Sequence, residues 1–302
     1  PLGLDVAGDG RIYVAEPATG RVSVWRPDGG TEPDLAGPGG ASGLTRPEDV
    51  AVAADGRRVF VADAGAGRVQ VFERSSGSLA ASWDGVGVPR GIAAGPDGRV
   101  YVSDAEGHRI EVRDAAGGAI ASWGGPGTAP GRFDTPLGLA VDADGSLLVA
   151  DHGNQRVQRL APDGSPIEAI ALDNAAGPGG APLDVGADDD AVYVAVARGV
   201  LRFRGGRLAG VVAPLEPAPP ADCPIPDPCR CREVRPVENN HEGVARLAAS
   251  ERLGLYFTYA PALRPFDRIV ALPARGFPSV IPWRCDALDG DGLTRTRRVD
   301  AA

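Results

Sequence analysis

One phrase recurs five times down this chain, and a sixth time in worn form. A repeat of this length constrains the architecture before any single residue is read. The first copy runs Pro1-Leu2-Gly3-Leu4-Asp5-Val6, then Asp9-Gly10, then Ile12-Tyr13-Val14-Ala15-Glu16, then Gly20-Arg21-Val22. Further copies open at Pro47, Pro89, Pro136 and Pro182, at spacings of 46, 42, 47 and 46 residues from Pro1 onward. The fifth copy keeps Val192-Tyr193-Val194-Ala195 but has Val196 where the others carry an acid. The worn copy is Gly243-Val244-Ala245, Leu255-Tyr256-Phe257-Thr258 and Arg268-Ile269-Val270-Ala271-Leu272.

Within each copy apolar residues alternate with small or polar ones, the period-2 pattern of strands. Asp-Gly between two such runs predicts a two-residue hairpin turn with positive φ at both central positions. A fourth run closes most copies, as in Ala80-Ala81-Ser82-Trp83 and Ala119-Ile120-Ala121-Ser122-Trp123. Four antiparallel strands per 40–45 residues is the pattern of a propeller blade. The expected fold is all-β, a six-bladed β-propeller of four-stranded antiparallel blades, closed by contact between blades one and six. It spans residues 1–283, with a Cys/Pro-rich insertion at 214–242 between blades five and six; residues 284–302 form a tail or a linker to a further domain.

The stretch Leu139-Ala140-Val141-Asp142, Asp144-Gly145 and Val149-Ala150-Asp151-His152-Gly153-Asn154-Gln155-Arg156-Val157-Gln158 resembles the NHL repeat, and copies two and three match it nearly as well. The resemblance covers residues 1–213 and, loosely, 243–283. It implies a six-bladed propeller and no single activity, because that family includes lyases, RNA binders, protein-binding modules and structural parts.

The chain has no Lys and no Met, so every basic residue is Arg or His, and its net charge is -9. The composition is of the kind GC-rich bacterial genomes encode. The dispersed acids argue against a nucleic-acid partner, whose phosphates demand a basic stripe. Arg68, Arg109 and Arg156 recur at one repeat position and are expected to pair with Asp63, Asp104 and Asp151 as structural ion pairs. No run approaches the 18–20 apolar residues that a bilayer span needs, so no membrane insertion is expected. Opening on a blade's first strand without an initiator Met, the chain is expected to be part of a longer polypeptide.

Cys223, Cys229 and Cys231 lie in the insertion, and Cys285 follows blade six. Two disulfides, a zinc site helped by His241, and free thiols compete as readings. The Cys-x5-Cys-x-Cys spacing lacks the usual zinc knuckle, and spacing does not give connectivity.

Propeller lyases resembling peptide-amidating lyase carry channel histidines near the start of each innermost strand. Those positions here are Leu2, Glu48, Arg90, Leu137, Leu183 and Glu242. His108 and His152 fall in hairpins, and His241 sits one place early. A Ca2+-dependent lactonase of the related six-bladed class would need a Glu with Asn and Asp ligands; Glu48, Glu242, Asn239 and Asn240 are the candidates. No nucleophile elbow or phosphate loop stands in a strand-turn-helix setting. The candidate binding site is therefore the channel mouth, Glu48, Arg90 and Glu242, with no catalytic residue assigned and no cofactor expected beyond a Ca2+ or Zn2+ ion. The expected role is a non-enzymatic, protein-binding or structural module, with a loose resemblance of residues 283–298 to NHL-bearing tail proteins of phage-tail-like particles. The alternatives are a secreted or envelope ligand-binding propeller and a metal-dependent lactonase or lyase.

Overall fold

The computed structural model describes residues 3–35, 43–172, 180–188, 190–197 and 199–211 in full, and the backbone alone of 212–214, 243–250, 254–260, 268–272, 287–288 and 294–295. Five four-stranded sheets follow one another, each with its strands hydrogen-bonded in chain order. Blade one is β1 (Leu4–Val6), β2 (Ile12–Glu16), β3 (Arg21–Trp25) and β4 (Thr31–Glu32). Blade two is β5 (Pro47–Val52), β6 (Arg58–Asp63), β7 (Arg68–Glu73) and β8 (Leu79–Trp83). Blade three is β9 (Pro89–Ala94), β10 (Arg99–Asp104), β11 (Arg109–Asp114) and β12 (Ala119–Gly124). Blade four is β13 (Pro136–Val141), β14 (Leu147–Asp151), β15 (Arg156–Leu160) and β16 (Pro166–Ala171). Blade five is β17 (Asp184–Ala187), β18 (Val192–Val196), β19 (Gly199–Arg204) and β20 (Arg207–Pro214). A three-stranded sheet, β21 (Gly243–Ser250), β22 (Gly254–Ala260) and β23 (Arg268–Leu272), follows, and β21 lies beside both β17 and β1. The architecture is a β-propeller.

The core lies in the seams between blades, and the strand period explains why. In β6, Val59 and Val61 pack with Tyr13 and Val24 of blade one, while Phe60 and Ala62 pack with Val100 and Val102 of blade three. Both faces of a middle strand are therefore buried, and a run such as Ile12–Glu16 has no exposed side. The next seams repeat the scheme: Tyr101 and Ile110 meet Leu147 and Leu160, and Leu148 and Val157 meet Val194 and Phe203.

The Asp-Gly turns differ from expectation. Only the Gly has positive φ (Gly10 85°, Gly56 67°, Gly98 83°, Gly145 81°). Gly10 N donates to Ala7 O and Ala7 N to Arg11 O, which is a type I turn followed by a left-handed residue rather than a two-residue turn. The Asp contributes its carboxylate instead, accepting the N–H two residues on: Asp9 from Arg11, Asp55 from Arg57, Asp97 from Arg99 and Asp144 from Ser146.

An outer-strand Trp locks each of two seams. Trp83 packs at 5.3 Å from Phe60, and Trp123 at 5.6 Å from Tyr101. Each indole lies against a glycine in the next blade's outer hairpin, and a Cβ on Gly117 would stand 2.4 Å from Trp83 Nε1. Gly117 also has φ +96°, so Gly117→Ala combines backbone strain with overpacking. It is expected to cost about 1–3 kcal/mol, read as a lowered urea midpoint.

The expected ion pairs form: Arg68 Nε to Asp63 at 3.4 Å, Arg109 Nε to Asp104 at 3.1 Å and Arg156 Nε to Asp151 at 2.8 Å, with Arg21 and Glu16 at 2.7 Å in blade one. The acids are buried, and they also fasten the segment leading into their own blade's first strand. Asp63 accepts Thr45 N and Arg46 N, Asp104 accepts Val88 N, and Asp151 accepts Asp134 N.

Candidate channel-mouth site

The first strand of each blade packs against its counterparts in the neighbouring blades, β5 with β1 and β9, and β13 with β9 and β17. Three of these strands, β5, β9 and β13, begin with a β-bulge. Pro47 pairs with Asp63 and Asp49 with Ala62, so Glu48 is the extra residue; Pro89 pairs with Asp104 and Gly91 with Ser103, so Arg90 is. A bulge re-aims the residue it inserts, and here it brings two such residues together. Arg90 Nη1 donates to Glu48 Oε1 at 2.8 Å. Arg46, just ahead of the strand, brings its Nε to 3.1 Å from the same oxygen. The Glu48 side chain is only 3% exposed, while those of Arg46 and Arg90 are 46% and 31% exposed. The expected arrangement had an arginine between two acids. Among the described residues it is an acid between two arginines, with both cations reaching solvent. Glu242, the third expected member, lies outside the described residues, as do Leu2, Asn239, Asn240, His241 and Cys223, Cys229, Cys231 and Cys285.

Three acids of the first strands escaped the sequence reading. Blades two and five carry Asp49 and Asp184 where blades one, three and four carry Gly3, Gly91 and Gly138. Each of these Asp side chains occupies space that the preceding blade's glycine leaves open: a Cβ on Gly3 would meet Asp49 Oδ1 at 2.0 Å, and one on Gly138 would meet Asp184 Oδ1 at 1.7 Å. Asp49 Oδ2 accepts Ile92 N across the seam at 2.9 Å. Asp5 spans the seam before it, accepting Val6 N and Val52 N at 2.7 Å each. Burial pushes the Asp5 carboxyl up to about 6 and the nearby Asp49 charge adds to this, against the pull of the two N–H donors. Asp in a Gly slot is the one sequence signal by which Asp49 and Asp184 could have been found.

The two described histidines and Asn154 serve contacts within the fold. His108 Nδ1 accepts Thr135 N at 3.1 Å, so the neutral ring carries its proton on Nε2. His152 is half-buried in the turn after β14, and its Nδ1 donates to Pro182 O at 3.0 Å. Asn154 donates to Gly127 O and Asp151. Among the described residues no group of three His, Cys, Asp or Glu side chains is placed to hold a metal ion, and no helix is long and apolar enough to cross a membrane.

Five four-stranded antiparallel blades packed side by side through their first strands define a β-propeller. Residues 9–198 match the family model of the SMP-30/Gluconolactonase/LRE-like region. The chain belongs to that family. Among solved structures it is similar to a streptogramin B lyase, at 15% identity and TM-score 0.60 over 100% of this chain and 84% of that one. It is similar to virginiamycin B lyase from Staphylococcus aureus at 14% identity and TM-score 0.59, over 100% and 85%. A chain of a nidogen/laminin complex matches at 20% identity and TM-score 0.57, over 70% of this chain and 80% of that one. At these identities the likeness is one of fold. No curated protein sequence matches the chain significantly.

Proposed function

We propose that this chain is a six-bladed, NHL-like binding propeller of the SMP-30/gluconolactonase family, and that its channel mouth, Arg46, Glu48 and Arg90, is the recognition site. One observation carries the reading: Glu48 Oε1 is shared by two guanidinium groups at 2.8 and 3.1 Å. A carboxylate so engaged is a poor cation ligand, whereas two partly exposed arginines steadied by a buried acid suit an anionic group on a ligand or partner protein. A place as a binding or structural module in a longer, particle-forming polypeptide belongs to the same proposal, and native size in the source cells tests it.

A metal-dependent lactonase is the second reading, favoured by the family's own description. Of the residues such a site would draw on, Glu48 and Asp49 are present at the mouth. The experiment that separates the two is dialysis against Ca2+ or Zn2+, metal analysis, and an assay on gluconolactone, with wild type and Glu48→Gln. The binding reading expects no retained stoichiometric ion and no hydrolysis. One tightly held ion per chain, lost in Glu48→Gln together with lactone opening, overturns it.

A further inference from the structure

The other face of the propeller carries a second charged site, independent of the mouth. The turns joining β1 to β2, β3 to β4, β5 to β6 and β7 to β8 all fall at the end opposite Glu48 and Arg90, as antiparallel order requires. Between blades one and two they enclose a half-open cleft of about 410 Å3, lined by Arg11, Tyr13, Glu32, Arg57, Glu73 and Arg74 among others.

The acids of this cleft are already engaged. Arg11 Nε donates to both oxygens of Glu32, at 2.9 and 3.0 Å, and Glu73 lies 3.6 Å from Arg58. Asp9, beside the cleft, is bound by both Arg11 and Arg74, which hold its carboxyl below the usual range against the effect of burial. What remains is hydrogen-bond donation. Arg11 has spent Nε and Nη1 and keeps Nη2. Tyr13 Oη accepts Arg74 Nε at 2.8 Å, which leaves the phenol's own proton to give. Arg57 is exposed, and its guanidinium makes no hydrogen bond or ion pair with the described residues. The other described seams do not reproduce this set: Phe60 and Ala115 hold the places of Tyr13 and Arg74 between blades two and three, and between blades three and four Tyr101 keeps the tyrosine while Pro162 replaces the arginine.

We propose that this cleft binds a small phosphorylated molecule through its phosphate, with Arg57, Arg11 Nη2 and the Tyr13 hydroxyl as donors. Donors from three separate side chains around one cleft suit a tetrahedral oxyanion, whereas a planar carboxylate is met by one fork. The volume lies within the range of small-ligand pockets.

The test is calorimetric titration at constant ionic strength with inorganic phosphate, glucose 6-phosphate and glucose. The expected result is saturable binding of both phosphate compounds, no response to glucose, and about tenfold weaker binding in Arg57→Gln and in Tyr13→Phe, from the loss of a charge-assisted or phenolic hydrogen bond. The Arg57 guanidinium makes no hydrogen bond or ion pair with the described residues, so its variant should keep the wild-type unfolding midpoint. The proposal is overturned by no saturable binding up to about 10 mM, by binding that both variants leave unchanged, or by binding lost in Glu48→Gln, which would place it at the mouth.

Discussion

Replacing Asp151 by Ala is expected to lower stability by about 3–5 kcal/mol, the largest effect of any single polar substitution in the described blades. The side chain is fully buried and accepts from four groups. Oδ1 takes Asp134 N at 2.7 Å and Asn154 Nδ2 at 3.1 Å; Oδ2 takes Arg156 Nε at 2.8 Å and Gln158 Nε2 at 3.0 Å. Truncation leaves the Arg156 guanidinium, whose side chain is only 14% exposed, without its counter-charge. It also frees the segment ahead of β13. There Thr135, a β-branched residue, is held at φ 51° immediately before Pro136, a conformation that persists only where its surroundings over-determine it. Asp134 is the neighbour that Asp151 fixes, and it returns the contact by accepting Gly153 N at 2.8 Å. Urea unfolding at neutral pH measures the loss. A cost under about 1 kcal/mol, the range of an exposed ion pair, would show that the latch is dispensable.

That latch shows what a repeat sequence discloses and what it conceals. The pairing of Asp151 with Arg156 was legible, because the same two residue types stand five apart in three copies. Its burial was not, since the neighbouring blade and the incoming loop cover it and neither is visible within one copy. The blades were legible for a related reason: alternation marks strands, and five copies average out local irregularity. β4 was missed because Thr31–Glu32 is too short and polar to show alternation. The turn was read in the wrong form because Asp-Gly serves two geometries, and only the carboxylate bonds to the residue two ahead distinguish them.

The site was half legible. Glu48 and Arg90 were found by comparing copies at the start of the first strand, but the comparison could not show that each is a bulge residue. It also passed over Arg46, which precedes the repeat's proline. Asp5, Asp49 and Asp184 were hidden for a different reason. The repeat is rich in acids that serve turns and latches, so another Asp carries little information until its partner is known. For Asp49 that partner is a backbone N–H of the next blade, a contact 43 residues away in sequence. Packing of one blade against the next creates such contacts, and periodicity within one copy does not encode them.

The acid with the most distinctive expected behaviour is Asp5. Its carboxyl moves from the ordinary 3.8 up to about 6 in the folded chain, chiefly through burial. The folded state therefore holds a proton more tightly than the unfolded chain does. Its stabilising contribution is complete below pH 3.8 and is lost as pH rises through 6. Between pH 7.5 and pH 4 this amounts to on the order of 3 kcal/mol at most. Asp9 and Asp144 act in the opposite sense, because hydrogen bonds from Arg74 and from Ser146 lower their values, so their contribution holds above the ordinary carboxylate range and fails below it. The urea midpoint of the wild type is thus expected to rise as pH is lowered from 7.5 toward 5, and to fall again below about 4. Asp5→Ala should be less stable throughout at low pH, having lost the bonds to Val6 and Val52, and should lack the rise between pH 7.5 and 5. Carbon-13 titration of the Asp5 carboxyl provides the direct check: a midpoint near 6 sustains the account, and one at the ordinary value would mean that water reaches the inner strands and solvates the acid there.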